Sequence, residues 1–158
     1  MVAGFAYYLY ECLGTIVKIG TNLKRDMVAH HLVTMALALI AYNINLKRMC
    51  VMWQALFDVS NPLLHIAKGL HSANVPALEP LKHAMFKFFA LSFLVCRVIM
   101  GPYSILWPSF TVGLEVLPPQ YSYPCLGLMV FVYGLQLLWF YKIVEIAIKG
   151  DKAADKRD

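Results

Sequence analysis

Five apolar stretches, each close to the length needed to cross a bilayer, recur along this chain of 158 residues, at about 2–20, 27–45, 49–67, 84–103 and 125–148. A hydrocarbon core of about 30 Å is crossed by roughly 20 residues of α-helix, and lipid admits only backbone whose polar groups are satisfied internally. Composition agrees: 60% of residues are hydrophobic and 15% charged, where a soluble domain sits near 45–50% and about 25%. A soluble globule of this length buries only about 70% of its unfolded surface, so much of that apolar material would face water. The sequence therefore predicts an all-α, multi-pass transmembrane helical bundle with about five spans. It forms one domain over residues 1–148, followed by a basic tail, 149–158.

The formal charge of +5 does not point to nucleic acid, because the basic residues lie in short connections and in the tail. The positive-inside rule places the loop with Lys24 and Arg25, the loop with Lys68 and Lys82, and the tail in the cytosol. The pair Lys47-Arg48 runs against that rule. Residues from Met1 to Lys18 lack a basic leader and contain Glu11, so they read as a span and not as a signal peptide. Cys12, Cys50, Cys96 and Cys125 are far apart, with no CxxC pair, and read as small apolar packing residues. Prolines mark two expected loops: Gly69 to Lys82, with Pro76 and Pro80, and the longest, Pro102 to Pro124, an interfacial or re-entrant stretch.

Polar residues inside the apolar stretches carry the functional information, because ionisable groups at membrane depth are costly and usually face a bundle interior. In the third stretch Gln54, Asp58, Asn61, His65 and Lys68 recur at helical spacing along one narrow face. In the second, His30, Thr34 and Asn45 cluster on one side, with His31 beside them. Two such stripes predict a polar intramembrane cavity. Histidine can exchange a proton near neutral pH and an aspartate can orient it, so His30, His31 and Asp58 are candidate catalytic residues for acyl transfer. Adjacent histidines are poorly spaced for chelation, and neither HxxxH nor HExxH occurs, so no metal is expected. Glu11, Lys18, Lys87 and Glu145 are ionisable groups read as outside the site, several of them explained by snorkelling near helix ends. A channel or transporter would also carry polar stripes, but no inverted repeat is visible.

These residues resemble a known family. His30-His31-Leu32-Val33-Thr34, then Tyr42, Asn45, Arg48, Asp58, Ser60, Leu64, Ala67 and Lys68, resemble the Lag1 motif of ceramide synthases and their TLC (TRAM/LAG/CLN) relatives. Weaker likeness continues through Cys96-Arg97-Val98 with Pro102-Tyr103, and through Leu135-Gln136-Leu137-Leu138 with Trp139 and Lys142-Ile143. The resemblance implies an endoplasmic reticulum membrane protein of lipid metabolism, with His30, His31 and Asp58 as active-site residues. Thr34, Asn45, Arg48, Gln54, Asn61, His65, Lys68 and Arg97 would then line a lipid cavity. It further implies membrane lipids as partners and, if the chain is a synthase, acyl-CoA as co-substrate and a sphingoid base as acceptor. No other cofactor and no nucleic acid is expected, and a homo-oligomer stays open. The family usually has more spans ahead of Gly4, so the chain reads as a fragment or a shortened homologue. Where synthases place a histidine, a second aspartate and a glutamate around Asp58, this chain has Phe57, Asn61 and His65. Two functions follow: a lipid-binding or lipid-modulating membrane protein, or an acyl-CoA-dependent sphingoid base N-acyltransferase.

Overall fold

A computed structural model describes residues 2–19, 23–73 and 75–155, and all the regular structure there is helical. Helix α1 spans Val2–Val17, α2 Arg25–Asn43, α3 Lys47–Asp58 and α4 Ser60–Ala73. Helix α5 runs from Pro76 to Val116 and α6 from Pro119 to Asp155. The end of the first expected span, residue 20, and part of the expected Thr21 to Asp26 loop, residues 21–22, lie outside the described residues, as does the tail end, 156–158. The tail from Lys149 to Asp155 continues α6 without a break.

Helices α5 and α6 are each long and apolar enough to cross a membrane, and only 22% of the most apolar window of either is buried within the protein. Large side chains such as Tyr103, Trp107, Leu138 and Tyr141 point outward. In water that surface would be a liability. The interior core is a cluster of Phe89 and Phe93 from α5 and Ile143 from α6, with Leu63, Leu64 and Phe140 packed against it. Phe93 stacks on Phe140 at 6.3 Å, and Phe89 meets Phe93 edge to face at 5.9 Å, a geometry aromatic quadrupoles favour.

Two expected loops are replaced by helix. From Pro102 to Val116 the chain stays helical, and the break is confined to Leu117 and Pro118. Proline's fixed φ is helix-compatible; what it removes is a donor. Pro102 cannot donate to the Val98 carbonyl, which accepts the Tyr133 hydroxyl from α6 at 3.3 Å. The helix also widens into π-turns at Leu94–Ile99, Pro102–Leu106 and Ser109–Gly113, the usual accommodation of a disrupted i→i−4 ladder. Leu117 is extended because it precedes a proline. The expected Gly69 to Lys82 loop is likewise largely helical, with α4 running to Ala73 and α5 starting at Pro76. Pro76 and Pro80 sit in the first turns of their helical segments, where the missing N–H costs nothing.

The turn between α2 and α3 has a defined chemistry. Asn45 has φ 60°, its N–H reaches the Tyr42 carbonyl, and the Leu46 N–H reaches Ala41 at 2.8 Å. This is a Schellman stop with asparagine at the left-handed position. Replacing Asn45 with valine should cost about 1–2 kcal/mol, because a β-branched residue resists that conformation; replacing it with glycine should be neutral. Chemical unfolding midpoints of the two variants in detergent check this.

Candidate functional site

The helices enclose a cavity of about 610 Å³ to which all six contribute. Its wall is mostly apolar, and its polar groups fall into two sets. At the rim, Asp58, His65 and Lys68 are exposed. Inside, His31, Arg97 and Gln136 are buried, Gln136 completely. Gln54, Asn61 and Thr34 also lie in the wall, although the Thr34 hydroxyl donates back to the His30 carbonyl of its own helix at 2.8 Å. Two expected lining residues lie elsewhere: Asn45 and Arg48 are exposed and outside the cavity. Asn45 ends a helix, and Arg48 follows it in the first turn of α3.

The packing of α1 on α2 decides what meets His31. Its Nδ1 stands 3.4 Å from Glu11 Oε2, and Glu11 Oε1 accepts the Tyr7 hydroxyl at 2.7 Å. The Tyr8 ring lies over the imidazole at 4.7 Å. The 3.4 Å separation is an ion-pair distance, and His31 Nδ1 has no formed hydrogen bond; catalytic contacts of this kind commonly tighten only when substrate binds. Glu11 itself is buried. It lies near the middle of α1, too deep for its short side chain to reach either end, and it lines the cavity, so the expectation that it stands outside the site is corrected. The structure puts Glu11, not Asp58, beside His31. Among the described residues no hydrogen bond or ion pair joins Asp58 to His30 or His31.

His30 packs its ring edge to face with Trp139 of α6 at 5.1 Å. The Trp139 indole N–H donates to Asp26 Oδ2 at 2.8 Å, and Lys142 Nζ stands 3.6 Å from the same oxygen. The indole N–H, with help from Lys142, holds the Asp26 carboxyl below the usual carboxylate range. This clamp ties the start of α2 to α6 and fixes the wall behind His30.

Arg97 organises the opposite wall. It lies in the first π-turn of α5, where the added residue rotates the helix face. Its Nε donates to Ser60 Oγ at 2.9 Å and its Nη1 to Gln136 Oε1 at 3.3 Å, while Nη2 donates to the Phe57 carbonyl at 2.6 Å and to Asn61 Oδ1. Phe93 and Phe57 present their rings to the guanidinium at 5.0 and 5.8 Å. Asn61 then donates through Nδ2 to Asp58 Oδ1 at 2.9 Å. The amide thus joins Arg97 to Asp58, accepting from one and donating to the other. A carboxylate at that position could not donate.

The sequence model of the TLC domain matches residues 1–145. The chain belongs to the TLC domain family. Among curated relatives, human ceramide synthase 5 is 34% identical over 135 residues, covering 82% of this chain and 34% of the relative. Ceramide synthase LOH1 of Arabidopsis thaliana is 31% identical over 129 residues, covering 77% of this chain and 41% of the relative. The ASC1-like protein of Solanum lycopersicum is 27% identical over 134 residues, covering 80% and 43%. The chain thus spans between about a third and under half of the length of these relatives. No solved structure matches it. Against the TLC resemblance read from sequence, the structure adds Glu11, Tyr7, Tyr8 and Trp53 to the cavity, together with Gln136 and Trp139 from the weaker motif. Glu11 was discoverable from its mid-helix depth; Trp53 carried no polar signal of its own.

Proposed function

We propose that this TLC-domain chain is an integral membrane protein of endoplasmic reticulum type membranes, crossing about five times, that binds or modulates membrane lipids in its intramembrane cavity. The observation that carries this reading is the cavity itself: about 610 Å³, apolar along most of its wall, with buried His31, Arg97 and Gln136 at its inner side. An apolar pocket with a few convergent polar groups is the form that small-molecule sites take, and an apolar wall with polar groups at its inner side suits an acyl chain with a polar end.

A second reading is favoured by one contact. The His31–Glu11 pair gives a buried imidazole a carboxylate partner, as general-base or nucleophilic acyl transfer requires, and the curated relatives include ceramide synthases. On this reading acyl-CoA is the co-substrate and a sphingoid base the acceptor. Both readings are tested by assaying ceramide formation from sphingoid base and acyl-CoA in membranes without endogenous synthases. This chain is compared with a form extended to the length of its relatives and with His30→Ala/His31→Ala. Product lost with the double substitution establishes acyl transfer; no product from well-expressed chains of either length leaves lipid binding as the function.

A further inference from the structure

Among the described residues, four side-chain nitrogen atoms in the cavity wall are buried without a hydrogen bond: Trp53 Nε1, Gln136 Nε2, His30 Nδ1 and His31 Nδ1, the last standing 3.4 Å from Glu11. Two of them can only donate. The indole has no acceptor, and the Gln136 amide is oriented by Arg97, whose Nη1 occupies Oε1 and leaves the NH₂ without a partner. A buried donor left without a partner is destabilising, so two in one cavity point to an acceptor that fills it. Trp53 and Gln136 belong to one surface. Trp53 stacks on Phe57 at 6.5 Å, the Phe57 carbonyl and ring both meet Arg97, and Arg97 holds Gln136.

Charge narrows the acceptor further. Arg97 is buried and has no carboxylate in direct contact; Asp58 is reached only through the Asn61 amide. Every group Arg97 touches is neutral, and the carboxylate of Asp58 stands one amide away, so no anion in contact neutralises the guanidinium on its cavity side. An ammonium headgroup would meet donors and a like charge there.

Resting on the reading of the cavity as a lipid site, we propose that the Trp53–Arg97–Gln136 wall binds the anionic oxygen headgroup of a single-chain amphiphile, a carboxylate above all, with its chain along the apolar wall. The full chain, purified in detergent, is titrated with oleic acid, lysophosphatidic acid, oleyl alcohol and oleylamine, competing against a radiolabelled fatty acid or an inert labelled amphiphile. Oleic acid should bind at least about 10-fold more tightly than the alcohol or the amine, a difference of about 1.4 kcal/mol. Gln136→Glu keeps the acceptor for Arg97 and replaces the free donor with an acceptor. Trp53→Phe keeps the ring and removes the N–H. Each should weaken oleic acid about 10-fold and oleyl alcohol by less, with an unchanged thermal unfolding midpoint in detergent showing that the variant is folded. A preference for lysophosphatidic acid over oleic acid supports the same site with phosphate as the anion. Equal binding of acid, alcohol and amine, or tighter binding of the amine, overturns the headgroup assignment while the lipid cavity stands. No binding of any amphiphile overturns both.

Discussion

Replacing Arg97 with alanine is expected to cost about 3–5 kcal/mol, the scale on which removing one partner from a buried charged network destabilises a protein. The loss is large because four groups depend on one guanidinium. Ser60 and Gln136, both fully buried, and Asn61 and the Phe57 carbonyl would each lose a charge-assisted bond. Those bonds hold α4 and the end of α3 against α5 and α6, so their loss should also loosen the cavity wall. Lysine at Arg97 keeps the charge but presents a single ammonium in place of a planar fork; it should recover only part of the loss. Asn61→Asp should separate the two jobs of that amide. It gives Arg97 a carboxylate and removes the donor that holds Asp58, so stability should be nearly kept while the Asp58 side chain is freed. Thermal unfolding of the detergent-solubilised variants, with yields compared, reads all three. An alanine variant within about 1 kcal/mol of the parent would show that the network is not what joins these helices.

The parts of this site that could be read from sequence are those whose signal is local. Gln54, Asp58, Asn61, His65 and Lys68 repeat at helical spacing, and all five stand in the cavity wall, because Val59 between α3 and α4 keeps helical dihedrals and so carries the phase of one helix into the next. Their partners were not legible in that way. Arg97 is 36 residues or more from Asn61, Ser60 and Phe57 and 39 from Gln136, and nothing in periodicity says which spans become neighbours. Asn45 shared the helical phase of His30, yet phase ends where the helix does, and Asn45 is the residue that ends it. The prolines misled in a similar way. Pro102 and Pro108 read as loop because proline lacks a donor, but Tyr133 on another helix supplies one to Val98, and the π-turns absorb the rest. The neighbour that permits helix there is 31 residues from Pro102 in sequence.

On the acyl-transfer reading, Glu11→Gln is expected to lower kcat by about 100-fold, the low end of what a positioned acid or base contributes, with KM little changed. Glutamine keeps the size of the side chain and can still accept the Tyr7 hydroxyl, so helix packing should survive. What it removes is the charge that favours an N–H at His31 Nδ1 and stabilises the imidazolium formed during proton transfer, the role an aspartate has beside histidine in a triad. The other imidazole nitrogen is then the atom left to act on substrate. Asp58→Asn should have a much smaller effect on kcat, since Asp58 sits at the rim and is engaged by Asn61. Tyr7→Phe should fall between, because it removes the hydrogen bond that orients Glu11. An assay-independent readout separates chemistry from folding: carbethoxylation of His31, followed by mass spectrometry, should slow in Glu11→Gln and not in Asp58→Asn. If the two carboxylate variants exchanged these behaviours, the catalytic partner of the histidines would be Asp58 and the cavity would have to rearrange to bring them together. Equal loss from both would mean that the carboxylates act through the fold, and that His31 works without a dedicated orienting group.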